Sequence, residues 1–228
     1  SLDSGKTSIE STPMPKVGHG EVLIKTKYSL ISKGTEKMLV EFGKASPISK
    51  ARQQPDKVND VINKLLTDGI KPTIEAVYNK LQYPIPMGYC NLGVVIGVGE
   101  GVTSFDIGDT VISNGSHSEV VSVPANLCCQ IPSGIDHEQA VFTILASISL
   151  QGIRLAKPTL GEYFIVYGLG IVGLITVQLL RSNGCRVLGI DYDKEKIKIA
   201  KQYGADTFCL SNSGDILNPT SISTICLV

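Results

Sequence analysis

The spacing of apolar residues divides the chain into two textures. From Glu21 to Tyr28 the residues alternate, with Val22, Ile24 and Thr26 on one side and Leu23, Lys25 and Lys27 on the other, which predicts a strand. Ser29 to Glu36, SLISKGTE, follows as a polar loop. Between Pro55 and Leu66, the residues Val58, Val61, Ile62, Leu65 and Leu66 recur at the spacing of one helix face, closed by Asp68-Gly69. Pro72 to Leu81 repeats this more weakly through Ile74, Val77 and Leu81, so an inserted helical hairpin is expected near 55–81. Gly88 to Val123 changes texture. Short apolar runs at Gly93–Val98 and Glu119–Val123 are cut by Gly-Glu-Gly and Ile-Gly-Asp turns, the pattern of a small irregular barrel. Ile131 to Gly134 reads as a linker and Asp136 to Arg154 as helix.

A strand–turn–helix pattern follows, from Tyr163 to Asp191. Tyr163–Tyr167 is a short run rich in aromatic and β-branched residues, as in a buried parallel strand. Gly168, Leu169, Gly170, Ile171, Val172 and Gly173 then form a G-x-G-x-x-G loop ahead of an apolar helical run to Leu180. Each position has a physical task. Gly168 permits the turn, Gly170 lets backbone N–H groups approach a pyrophosphate, and Gly173 lets helix and strand pack closely. The helix N-terminus adds unpaired donors and the positive end of its dipole. A second run, Arg186–Ile190, ends on Asp191, 18 residues past Gly173, where a carboxylate can accept both ribose hydroxyls. That acid favours NAD and disfavours the 2′-phosphate of NADP. A tight turn that binds nothing is the alternative for the glycines alone; the flanking strand, helix and acid together favour a dinucleotide. Lys194–Tyr203 reads as the next helix, Asp206–Leu210 as a third strand and Ile225–Val228 as a fourth. A complete doubly wound sheet has about six strands, so the chain is expected to be clipped after Val228 and short of a few residues before Ser1.

Composition narrows the partners. The 228 residues carry 21 basic and 21 acidic side chains, and 43% of them are hydrophobic. This is a globular composition with no charge excess to favour nucleic acid or a membrane surface. Tyr163–Leu180 is an uncharged stretch near the length of a membrane span, but its glycines suit the strand–turn–helix better. The six cysteines form no CxxC pair and read as scattered buried thiols. With no signal-peptide pattern, a cytoplasmic location is the default. Ser4-Gly5-Lys6-Thr7 resembles the tail of a phosphate loop but lacks its upstream glycine, and reads as an exposed turn.

GEGVTSFDIGDTV (Gly99 to Val111), YGLGIVG (Tyr167 to Gly173), GIDYDKEK (Gly189 to Lys196) and AKQYGAD (Ala200 to Asp206) together resemble the medium-chain dehydrogenase/reductase superfamily. The resemblance covers nearly the whole chain. It implies an α/β fold in which an irregular GroES-like β-barrel domain (1–134) precedes a truncated Rossmann doubly wound parallel sheet (135–228). It also implies an oxidoreductase acting on a small-molecule alcohol or carbonyl. SLISKGTE, NKLQYPIPMGYCN and LASISLQGIR look like the N-terminal half of bi-domain oxidoreductases. That narrower likeness implies a second oxidoreductase unit fused after this one and a place in polysaccharide synthesis; a homo-oligomer is a separate expectation.

The departures bear on mechanism. Metal-dependent relatives place a cysteine before Gly-(Thr/Ser)-Asp, whereas Gly34-Thr35-Glu36 follows Ser32-Lys33; their Gly-His-Glu corresponds to Gly88-Tyr89-Cys90. The four-cysteine structural loop is absent, and His117 falls in a surface-like turn without ligand companions. No zinc is therefore expected. Hydrogen-bond donors must then stabilise the reacting oxygen. Tyr89 and Thr35 are the catalytic candidates, against the plainer readings of a packed phenol and a turn hydroxyl. Lys33 could supply charge, and Cys90 a nucleophile, though an exposed lysine and a buried thiol are the plainer readings. A catalytically silent nucleotide-binding or regulatory module is the alternative function.

Overall fold

A computed structural model describes residues 4–212. The chain forms two compact units that meet at Gln130/Ile131. The anticipated strand Ile225–Val228 lies outside the described residues.

The first unit is built on a five-stranded antiparallel sheet. Its strands are β1 (Glu21–Ser29), β2 (Asn91–Val98), β3 (Thr110–Ser113), β4 (Val120–Pro124) and β5 (Cys128–Gln130), in the order β4-β1-β2-β3-β5. Valines and isoleucines on alternate positions make its core, with Val22, Ile24, Val95, Val111, Val121 and Val123 all buried. Strict alternation fails in β1. Its pairing with β2 shifts register between Leu23 and Ile24, and Val22, Leu23 and Ile24 are buried in succession.

Four helices separate β1 from β2: α1 (Lys33–Lys44), α2 (Pro47–Gln53), α3 (Pro55–Asp68) and α4 (Ile70–Gln82). The hairpin expected near 55–81 is α3 and α4, joined at Gly69, whose φ of 87° suits glycine and whose N–H caps Leu65. The polar loop expected over Ser29–Glu36 instead turns helical at Lys33, and α2 begins on Pro47 with Ser46 capping its first turn. Gly5, expected in an exposed turn, is buried, with the α1 backbone at Val40 and Lys44 close against it.

The second unit opens with α5 (His137–Ala140) and α6 (Thr143–Ala156). Strand and helix then alternate: β6 (Tyr163–Tyr167), α7 (Ile171–Ser182), β7 (Arg186–Asp191), α8 (Lys194–Gln202) and β8 (Asp206–Cys209). The three strands pair in parallel in the order β6-β7-β8. Phe164, Val166 and Val187 from the sheet pack with Val177, Leu180 and Ala200 from the helices in one core. The fold class is thus α/β, with an antiparallel sheet followed by a parallel dinucleotide-type sheet. Among the described residues no helix is long and apolar enough to cross a membrane.

Candidate functional site

In the second unit, β6 ends at Tyr167 and the chain turns through Gly168, whose φ is 92° and whose N–H donates to Ile190 at 2.8 Å. Leu169 is fully buried, which fixes the loop from below. Gly170 caps α7 with no side-chain hydrogen bond, so the first N–H groups of the helix at Ile171, Val172 and Gly173 are not satisfied by a cap. A Cβ on Gly170 would meet nothing within 4 Å, whereas one on Gly173 would lie 1.9 Å from the Gly168 carbonyl oxygen. The first glycine leaves open space above the helix end, and the second lets the helix press against the turn. Ser149 of α6 and Thr176 of α7 both donate to the Val172 carbonyl, at 3.1 and 2.9 Å.

Asp191 closes this corner. Its Oδ2 accepts from the Leu169 N–H at 2.7 Å, its Oδ1 from the Asp193 N–H at 2.9 Å, and Lys196 Nζ stands 3.6 Å from Oδ2. Burial pushes the carboxyl up, but the hydrogen bonds from Asp193 and Leu169 and the charge of Lys196 outweigh it and hold it below the usual carboxylate range. Tyr167 and Tyr192, both exposed, flank the loop; the hydrogen bond to Tyr192 and that group's charge, then burial and last the charge of Asp191, push the Tyr167 phenol up.

In the first unit Thr35, Tyr89 and Ser32 form a triangle of hydroxyls. Tyr89 Oη donates to Ser32 Oγ at 2.8 Å, Ser32 Oγ points to Thr35 Oγ1 at 3.5 Å, and Thr35 Oγ1 lies 3.2 Å from Tyr89 Oη. Thr35 is exposed and Ser32 is buried, so the triangle presents its Thr35 corner to solvent. The two catalytic candidates, 54 residues apart in sequence, are thus hydrogen-bonded neighbours.

One expectation is corrected, and two of the plainer readings hold. His117 does not stand alone in a turn: its Nε2 lies 3.2 Å from both carboxylate oxygens of the buried Glu36, and its Nδ1 lies 2.6 Å from Ser29 Oγ. A histidine and a carboxylate 81 residues apart leave no local signal. The visible hint was an acid inside SLISKGTE at a position that turned out to be the first turn of a helix. Cys90 is fully buried, and burial followed by the charge of Glu36 pushes its thiol up to about 11, which removes it as a thiolate nucleophile. Lys33 sits exposed at the start of α1. Among the described residues no three His, Cys, Asp or Glu side chains gather as a metal requires. The neutral hydroxyls of the triangle do not fit zinc, whose protein ligands are thiolate, imidazole and carboxylate.

No family model matches the chain. Escherichia coli (strain K12) D-guloside 3-dehydrogenase is 33% identical over 132 residues, covering 56% of this chain and 37% of that protein. A Geobacillus stearothermophilus alcohol dehydrogenase is 24% identical over 203 residues, covering 73% of this chain and 60% of that one. An Escherichia coli CFT073 alcohol dehydrogenase, solved with NADH, shares the fold with a TM-score of 0.70 at 22% identity, over 92% of this chain and 61% of that chain. The chain is thus similar in sequence to alcohol and sugar dehydrogenases and shares its fold with solved structures of such enzymes. It spans 37–61% of the length of these three relatives. The glycine corner and the hydroxyl triangle lie in different units of the chain, each assembled from its own unit's elements.

Proposed function

We propose that the protein is an NAD-dependent oxidoreductase that moves hydride to or from a small alcohol or carbonyl compound, without zinc. The observation that carries the reading is the glycine corner closed by Asp191: open space at Gly170, an uncapped helix end, and an acid at the end of β7. Ile171, Val172 and Gly173 would hold the pyrophosphate through their N–H groups, and Asp191 the adenosine ribose. The same carboxylate repels a 2′-phosphate, which supports NAD over NADP. When bound, the nicotinamide supplies or accepts the hydride. The residues of the first unit handle the oxygen. The exposed Thr35 hydroxyl donates to the carbonyl oxygen as negative charge grows there; Ser32, which donates to Thr35 and accepts from Tyr89, returns the proton to Thr35, and the half-buried Tyr89 phenol is reprotonated from water. In the reverse direction Thr35 accepts the alcohol proton.

The likeness to D-guloside 3-dehydrogenase supports a sugar hydroxyl as substrate, and the SLISKGTE-type strings support a fused second oxidoreductase unit in polysaccharide synthesis. The test is NADH consumption by the full-length protein against aldehydes, ketones and keto-sugars, alongside calorimetric titration with NADH and NADPH. NADH should bind more tightly than NADPH, and Thr35→Val should lower turnover on the order of a hundredfold. A Tyr89→Phe protein that turns over within about twofold of the parent would remove Tyr89 from the chemistry. Tight NADH binding with no turnover of any compound would instead favour a silent nucleotide-binding module.

A further inference from the structure

We propose that Glu36 and His117 are a positioning pair that fixes the hydroxyl triangle from both ends. The inference rests on the oxygen-handling role given above to Thr35 and Tyr89. Glu36 is 8% exposed, and a carboxylate so withdrawn from water is costly unless it is paired and hydrogen-bonded. Part of its use is ordinary. It accepts from the Ser32 N–H at 2.8 Å, as the acid of a capping box does, though from one residue further into α1. A serine at an N-cap normally caps the helix with its hydroxyl. Here Ser32 makes no side-chain cap and its hydroxyl is turned to Tyr89 and Thr35. Glu36 holds the Ser32 backbone, while the Ser32 hydroxyl, which caps nothing, is available to the triangle.

His117 reaches the other end of the Tyr89–Ser32 bond. Its N–H donates to the Met87 carbonyl at 2.7 Å, and its ring lies flat against Gly88, where a Cβ would come within 2.6 Å. One imidazole therefore touches the backbone that leads into Tyr89 and the carboxylate that holds Ser32. The loop that carries it is itself tied down: Thr26 N–H donates to the Glu119 carbonyl, Thr26 Oγ1 to the Ser118 carbonyl at 2.6 Å, and Asn91 Nδ2 to Thr26 Oγ1 at 2.7 Å. Ser29 of β1 holds the remaining ring nitrogen. A helix cap alone would need none of these contacts. They make sense as a brace between α1 and the segment before β2, with the Tyr89–Ser32 bond as the object braced.

The experiment is NMR of protein labelled with 13C-tyrosine, the Tyr89 signal among the eight tyrosines being assigned by its loss in Tyr89→Phe. His117→Phe keeps a ring against Gly88 but removes both of its hydrogen bonds, and should displace the Tyr89 13Cζ signal while leaving Tyr163 and Tyr203 in place. His117→Gln, whose amide still donates to Glu36, should restore most of the parent position. Glu41→Gln, on the same helix and engaged only with Lys37, should change nothing. With NADH and the panel of aldehydes, ketones and keto-sugars, His117→Phe should lower kcat on the order of tenfold with KM within about twofold. If His117→Phe does not fold, Glu36→Gln should move the same signal less far in the same direction. An unmoved Tyr89 signal in either variant, or equal displacement in His117→Phe and His117→Gln, overturns the proposal. Parent protein that turns over nothing while the signal still moves would defeat the oxidoreductase reading and leave the brace standing.

Discussion

Asp191→Asn should loosen the second unit before any cofactor is added. The parent carboxylate receives two backbone N–H groups, one on each oxygen, and one of them belongs to the fully buried Leu169. Asparagine keeps a single acceptor. Its amide nitrogen then faces whichever N–H its oxygen does not reach, donor against donor. A hydrogen bond to a charged group contributes about 1.5–3 kcal/mol, and a buried donor left without a partner costs about 1–3 kcal/mol. The Lys196 contact, with a 42% exposed ammonium, adds about 1 kcal/mol at most. The first two figures count the same lost bond and are not added, so with the lysine contact the loss is about 2–4 kcal/mol, read by urea unfolding followed by circular dichroism at neutral pH. The carboxyl is held below its ordinary range when folded, so its contribution is present above the ordinary aspartate value, near 3.9, and disappears as pH falls through the folded value. Parent and variant curves should therefore converge in acid. A variant within about 0.5 kcal/mol of the parent at neutral pH would refute the account of Asp191 as the clasp of the loop.

Two further outcomes follow from the same structure. Gly173→Ala places a methyl group 1.9 Å from the Gly168 carbonyl, so the turn must move; NADH affinity by calorimetry should fall at least tenfold, and undiminished affinity would mean the corner is not where the dinucleotide sits. The Cys90 thiol, raised from 9.0 to about 11 by burial and Glu36, favours folding while neutral, so its contribution is intact below about 9 and lost as pH rises through about 11. Two pH units correspond to at most about 2.7 kcal/mol, and Cys90→Ala should flatten that part of the alkaline denaturation profile, a slope unchanged by the substitution counting against the assignment.

The second unit was nearly all legible in the sequence. Its strands are short uninterrupted apolar runs, its helices are periodic, and glycines and acids mark the boundaries; Tyr163–Tyr167 and Arg186–Asp191 appear where the pattern puts them. These are local signals, and local signals survive in one dimension. The first unit was legible in part: its first strand, the helical hairpin and the runs at β2 and β4 appear where the pattern puts them. Lys33–Lys44 begins inside SLISKGTE, whose serines, glycine and threonine read as a loop because such residues bond to nearby backbone as readily as they cap a helix. Burial of Leu23 alongside Val22 and Ile24 depends on a register shift set by the partner strand. Thr35 and Tyr89 could be named from their motif positions, but their meeting, the third hydroxyl at Ser32 and the Glu36–His117 contact are products of tertiary approach.

The two hydroxyls on the Val172 carbonyl have a consequence for how cofactor affinity can change. Ser149 belongs to α6, outside the glycine loop, yet it is tied to the first turn of α7, the turn that faces the open space at Gly170. Substitutions on α6 at this contact can tilt or retract that turn by fractions of an ångström while every loop residue stays the same. On the proposed reading, affinity for the dinucleotide is thereby adjustable by remote tuning. An engineer seeking a graded series of binders, instead of the all-or-none result of altering a glycine, would begin with Ser149.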